Sequence, residues 1–370
     1  MSKVSDILAQ RRSEWGEWYA NSKLVGVALG SLAILLGATL LQVSFGAYPL
    51  TLAEAWHTVF DADVLLSLTA WRAFLLGGGI PEWFTRQQLI VWNIRLPRIL
   101  VGVLVGANLA VSGAIFQVVT RNELASPYVL GISDGAGLVV LVTLTFMSSY
   151  LPLLPLLAAI GGTIAFLVVY VIAWKNGTSP VRLVLAGVVV GTVFSSVQRA
   201  LFFFIDDLSV VMSAQTWLSG SLLGTDWGQV RIALPFTVLS MALALAVTRE
   251  LDVLLLGEET ASSLGMNVEK IRFAVAGIAI LSTAAAIAVA GLVGFVGLIV
   301  PHMVRNIVGS DSKRLLVGCL FLGPALLVGA DVGARLALSP IQLPVGIITG
   351  LVGGPYFLYL MRKKKDLGSV

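Results

Sequence analysis

Apolar residues run almost unbroken for about 20 positions at a time along most of this chain, in windows near 22–42, 95–119, 128–149, 152–173, 182–204, 230–248, 272–292, 294–308, 315–336 and 343–361. At 1.5 Å of rise per residue, about 20 residues cross a hydrocarbon core of about 30 Å, whereas barrel strands alternate over about ten. The pattern predicts an all-α, polytopic transmembrane helical bundle of about ten helices. The stretch 272–308 is long enough for one very long helix or for two short ones parted at GLVGFVG.

Charge settles that choice. Arg249, Lys270 and Arg272 precede the stretch and Arg305, Lys313 and Arg314 follow it, so the positive-inside rule places both flanks in the cytoplasm and requires two spans. Ten spans then put both termini inside, in agreement with RKKK at 362–365. On this topology 17 of the 24 Lys and Arg lie inside. The seven outside are Arg72, Arg86, Arg95, Arg98, Arg199, Arg231 and Arg335, so the pair in NIRLPRIL at 93–100 stands on the disfavoured side.

The remaining segments follow. Residues 1–21 form a polar cytoplasmic segment, 22–361 a single membrane domain, and 362–370 a basic cytoplasmic tail. The first window has about 20 polar-rich residues ahead of it and no small-residue cleavage site behind it, so it stays as an anchor. Residues 43–92 make a long outer loop whose Trp56, Trp71, Trp83 and Trp92 suit the membrane interface. Residues 249–271 are the longest inner connection, and GEETASSL within it predicts a short helix stopped by Gly265.

Composition agrees with a membrane protein: 57% hydrophobic, 12% charged, with a mean hydropathy of +0.93. One cysteine, Cys319, excludes an internal disulfide framework. There is no GxxxxGK[ST] loop and no HExxH, so nucleotide hydrolysis and zinc-protease chemistry are not expected of this chain, and no metal site is expected. His302 reads as a hydrogen-bonded bundle residue. Asp331 and Arg335, four apart, allow an ion pair, and Asp134 is a further acid within a span. Gly102 with Gly106, Gly187 with Gly191, and Gly346, Gly350 and Gly354 are spaced for close helix packing. AVSGAIF at 110–116 is echoed by AVAGLVGF at 288–295, in spans oriented oppositely, as an inverted five-plus-five repeat requires.

Five stretches in order then carry a resemblance: NIRLPRILVGVLVGANLAVSGAIFQ, NELASPYVLGISDGAGL, GEETASSLG, GFVGLIVPHMVR, and ADVGARLAL followed by LPVGIITGLVGGPYF. Over roughly residues 90–365 the chain resembles the FecCD, or type II, permeases of ATP-binding cassette importers for iron-siderophores, haem and cobalamin. The resemblance implies a ten-helix permease that pairs with a second permease subunit, the same or a related chain. It also implies two cytoplasmic ATPase subunits carrying ATP and Mg, and a periplasmic or lipid-anchored binding protein. This chain itself would bind no cofactor, no metal and no nucleic acid, and would sit among lipid as a multi-pass protein of the inner membrane.

Site roles follow from the same resemblance. Arg95, Arg98 and Arg335 would dock carboxylates of the binding protein. Gly257, Glu258, Glu259, Thr260, Ala261, Leu264 and Gly265 would couple to an ATPase. Asn122, Leu124, Thr178 and Ser179 would form the cytoplasmic gate. The sequence departs from the family pattern in having Glu123 where proline is usual, Asp134 where serine is common, and Pro180 and Val181 lengthening the second gate loop. The expected cargo is an iron-siderophore complex, with haem or cobalamin as the alternative. An ion-coupled secondary transporter and an intramembrane enzyme using His302 or Asp331 are the rival classes.

Overall fold

A computed structural model describes residues 22–366 apart from 47, 49, 176, 339 and 340. The N-terminal segment 1–21 and the last four residues of the predicted tail lie outside the described residues.

The chain begins with α1 (Ser22–Ser44), followed by four short helices in the predicted outer loop: α2 (Leu52–Val59), α3 (Ala62–Leu65), α4 (Leu68–Arg72) and α5 (Arg86–Ile90). Next come α6 (Leu96–Val119), α7 (Ile132–Phe146), α8 (Leu154–Ala173), α9 (Pro180–Phe202), α10 (Leu208–Ser219) and α11 (Trp227–Ala246). The second half holds α12 (Thr248–Leu255), α13 (Glu258–Ser263), α14 (Val268–Ala290), α15 (Val296–Val308), α16 (Ser312–Leu336) and α17 (Val345–Asp366). Seven helical stretches are long and apolar enough to cross a membrane, and three shorter apolar helices, at 132–146, 296–308 and 345–359, complete the expected ten.

The break at GLVGFVG is present, because α14 ends at Ala290 and α15 starts at Val296. Phe295 holds a left-handed conformation at φ 67, unusual for a bulky residue, and turns the chain into α15. Two boundaries differ from the hydropathy windows. Helical structure ahead of α6 begins at Arg86, through α5 and one π-helical turn over Val91–Arg95. α7 starts at Ile132 rather than 128, since Gly131 at φ 74 ends the preceding turns. α10 was not foreseen: SAQTWLSG lacks a run long enough to register.

α6 is the axis of the bundle. Its apolar window is 83% buried, against 17% for α1 at the periphery, and α11, α14, α15 and α16 all pack on it. Backbones touch where glycines face each other. A side chain at Gly113 would overlap the Gly297 backbone, and one at Gly106 the Gly323 backbone. Lipid supplies no hydrophobic drive between helices, so such close approach contributes through packing. Gly354, by contrast, has nothing within 4 Å of where a side chain would begin.

A set of polar groups in the middle of the bundle pair with one another. Asn108 of α6 donates to Thr237 Oγ1 of α11 at 2.6 Å and accepts from Ser282 of α14 at 2.9 Å, while Ser112 and Thr283 share a further hydrogen bond. An unpaired amide in an apolar medium is costly, which explains why hydroxyls from two neighbouring helices gather on one residue.

The outer loop does not simply lie along the membrane surface. Phe74 stacks on Trp92 and Trp227, with ring centroids 5.7 and 4.7 Å away, and Trp71 meets Trp92 edge-on at 5.9 Å. Trp92 is 4% exposed, its indole N–H donating to the Thr58 carbonyl at 2.8 Å. Trp92 is therefore a core residue of the outer cap, while Trp56 and Trp83 remain exposed as an interface role requires.

Candidate functional site

Four of the seven arginines on the predicted outer side are tied inside the chain. Arg98 forms a two-point ion pair with Asp331, Nε to Oδ2 at 2.8 Å and Nη2 to Oδ1 at 2.9 Å. Its Nη1 donates to Gln342 at 2.7 Å, and Gln42 donates to Asp331 Oδ2 at 2.5 Å. The pair thus joins α1, α6, α16 and the segment before α17. Asp331 is fully buried and Arg98 nearly so. This corrects one expectation. The partner of Asp331 is Arg98, 233 positions away, not Arg335 on its own helix. All three Arg98 nitrogens are engaged inside the chain.

Arg95 and Arg335 serve the end of α1. Arg95 donates to the carbonyls of Val43, Ser44 and Tyr48, and Arg335 donates to the Gln42 carbonyl at 3.1 Å. The last carbonyls of a helix lack intrahelical partners and carry partial negative charge, so cations are held there favourably. The two guanidiniums flank Gly46, where a Cβ would press on the Arg335 Nη2. Arg95 is 2% exposed, leaving Arg335, half-buried, as the outermost member, and its buried Nε has no partner. Arg231, the fourth, donates to the Phe74 carbonyl at 2.8 Å.

At the predicted cytoplasmic end, the short helix expected over GEETASSL is α13. Gly257 at φ 109 turns the chain into it. Gly265 at φ 82 closes it, with Gly265 N–H bonded to the Ser262 carbonyl at 2.9 Å and Met266 N–H to the Ala261 carbonyl at 3.0 Å. Ala261 anchors it, being buried, while Glu259, Thr260 and Gly265 are exposed and Leu256 and Leu264 are 59% and 65% exposed.

The residues predicted as a gate lie in two separate loops. In one, the Asn122 side chain accepts the Leu124 N–H at 2.9 Å and Leu124 projects outward. Glu123 between them reaches His302 Nδ1 at 3.6 Å and Arg305 at 3.8 Å, and Arg305 donates to Gln117 at 3.0 Å. The acid that departs from the family pattern therefore faces two basic residues of α15. In the other loop Thr178 is buried, its hydroxyl and N–H both donating to Glu269, at 2.8 and 3.0 Å. Ser179 precedes α9 and is only partly exposed.

The residues that hold this second loop carry no signal of that role in the sequence. Arg272 reads there only as an orientation charge, yet it is buried and contacts Glu258, Glu269 and Thr178. Tyr170 donates to Glu269 at 2.5 Å. EKIR gives no warning of burial, because both basic residues at the start of a span look interfacial. Gln42, a lone amide inside the first apolar window, was a visible signal for the outer cluster.

A polar stripe runs along the exposed side of α9. Thr192, Ser196 and Arg199 are exposed there, and Ser195 donates to Asp134 at 2.5 Å. Asp134, Ser195 and Arg199 line a cleft of about 280 Å³ together with Tyr128, Gly187 and Gly191. Among the described residues no group of three or more His, Cys, Asp or Glu is placed to hold a metal.

Comparison with known proteins gives one consistent picture. The model of the FecCD transport family matches residues 34–363. The chain is 40% identical over 283 residues to the Fe(3+)-citrate import system permease protein YfmD of Bacillus subtilis, covering 76% of this chain and 84% of that one. It is 38% identical over 366 residues to the cobalamin import system permease protein BtuC of Halobacterium salinarum, covering 94% and 98%. Among solved structures, an inward-facing metal-chelate type ABC transporter superposes with a TM-score of 0.77 at 26% identity, covering 91% of this chain and 99% of that one.

Proposed function

The chain belongs to the FecCD transport family, and on that premise we propose how it works as the multi-pass permease subunit of an ATP-binding cassette importer. Its cargo is an iron-siderophore complex, the chemistry shared by many of its relatives, with haem or cobalamin as the alternative. It sits in the inner membrane. A periplasmic or lipid-anchored binding protein delivers cargo, two ATPase subunits on the cytoplasmic face bind ATP and Mg and hydrolyse it, and a second permease subunit completes the path. This chain carries no bond-making chemistry.

The observation that carries the reading is α13. A short helix closed by glycines at both ends exposes Leu256 and Leu264 beside Glu259 and Thr260, on the face that the charge distribution puts in the cytoplasm. Exposed leucines rimmed by polar groups suit a groove on a soluble partner better than water. The α9 stripe supports the pairing of two permeases. Thr192 and Ser196 bond carbonyls of their own helix, but Arg199 would be unfavourable against lipid tails, and a water-filled path or a second subunit relieves that cost. At the outer face, Arg335 is the member of the arginine cluster left to receive a carboxylate, with Arg95 adding positive potential behind it.

Deleting residues 258–264 tests the central contact. ATPase subunits should be lost from the purified complex while the permease still extracts as a folded, monodisperse protein. Stoichiometric ATPase on the deletion variant would refute the role given to α13.

A further inference from the structure

One buried cation stands between α13 and the loop at 174–179. Arg272, in the second turn of α14, is 2% exposed. Its Nη2 bonds Glu258 Oε1 of α13 at 2.5 Å. Its Nη1 donates to the Thr178 carbonyl and lies 3.1 Å from the Thr178 hydroxyl and 3.7 Å from Glu269. Glu269 in turn takes both donors of Thr178 and the Tyr170 hydroxyl. One guanidinium therefore fastens an exposed helix to a loop from the other half of the chain.

We propose that Arg272 is the positioning residue that carries displacement of α13 to the 174–179 loop, with Glu269 and Tyr170 holding the loop end of the linkage. This rests on α13 being the surface that an ATPase moves.

The two ends of the ion pair differ in their access to water. The Glu258 side chain is 49% exposed, so water can replace its half of the pair, whereas the Arg272 side chain is 3% exposed. Moving α13 away would take the 2.5 Å partner from a buried guanidinium and leave it only the longer carboxylate contact, to Glu269 at 3.7 Å, so the lower-energy course is for α13 and the loop to move together. The planar fork suits the task, since separate N–H groups reach two elements at once, which the single ammonium of a lysine cannot do with the same geometry. Gly177 at φ 113 and Gly257 at φ 109 stand beside the two ends and supply backbone positions that can absorb a change of angle. The 120–124 loop has a weaker tie to the same segment, Arg121 to the Leu255 carbonyl at 3.5 Å, with Arg121 exposed.

The test uses the complete transporter with its binding protein, reconstituted in proteoliposomes. Uptake of labelled ferric siderophore, haem or cobalamin, whichever is carried, is divided by ATP hydrolysed. Arg272→Met should lower that ratio by at least about tenfold, since one lost charge-assisted hydrogen bond already corresponds to about that factor and this variant removes several, while ATPase subunits still co-purify. Arg272→Lys should recover less than half of the loss. Adding Thr178→Val to Arg272→Met should cost nothing more, because the two act in series. Should Arg272→Met fail to fold, Glu258→Gln at the exposed end answers the same question and should also lower the ratio. A wild-type ratio in either variant, or an independent further drop in the double variant, would overturn the linkage. Loss of ATPase on deleting 258–264 combined with a wild-type ratio in Arg272→Met would overturn the linkage alone. ATPase retained on that deletion would overturn the reading of α13 on which it rests.

Discussion

Replacing Asp331 by alanine removes both acceptors of a fully buried guanidinium pair. Arg98 loses bonds of 2.8 and 2.9 Å and keeps only Gln342, while Gln42 loses its acceptor at 2.5 Å. Water has little route to replace them, with side-chain exposure of 9% at Arg98 and 0% at Asp331. Removing one partner of a buried pair costs about 3–5 kcal/mol, or about two to four powers of ten in the folding equilibrium constant. Asp331→Asn keeps one oxygen acceptor but not the charge and should cost less, about 1–3 kcal/mol. A double variant, Arg98→Met with Asp331→Leu, buries no charge and should recover most of the loss. The assay is reversible unfolding in mixed micelles followed by far-UV circular dichroism, analysed as a double-mutant cycle. The reasoning fails if Asp331→Ala unfolds within about 0.5 kcal/mol of the parent, or if the double variant is no more stable than the single one.

Arg335→Glu should weaken capture of the binding protein by the nanodisc-embedded complex by at least about tenfold, as expected for reversing a charge that meets a carboxylate. Arg86→Glu, an exposed outer arginine outside the cluster, should change it little; equal effects from the two, read by surface plasmon resonance, would reduce docking to general charge. Gly113→Val forces a side chain into the Gly297 backbone and should cost about 1–3 kcal/mol of stability. Gly30→Val, in open space on α1, is its control in a thermal melt, and identical melting of the two would discard the close-contact account of α6 and α15.

The helical plan was legible because it depends on run length and flanking charge, both printed in the chain. The split at GLVGFVG came from the positive-inside rule alone, and the structure places the break there. Long-range pairing was not legible. Arg95 and Arg98 broke that rule, and the sequence could flag the anomaly but not show that Asp331 and the end of α1 absorb it. Helical spacing suggested Arg335 for Asp331, because i and i+4 are visible in one dimension and a contact across 233 positions is not. The same limit hid Arg272, whose neighbours come from three segments. α13 was found because its glycines, acids and short length all write local signals.

The account turns on this chain being driven by ATP from the cytoplasmic side. The direct measurement is uptake of labelled ferric siderophore, haem and cobalamin into proteoliposomes holding the purified complex, with binding protein outside and ATP inside. One of these cargoes should accumulate only when ATP is enclosed, at a rate that a protonophore does not change. Uptake that follows an imposed ion gradient and proceeds without ATP would contradict the account and make the chain a secondary transporter.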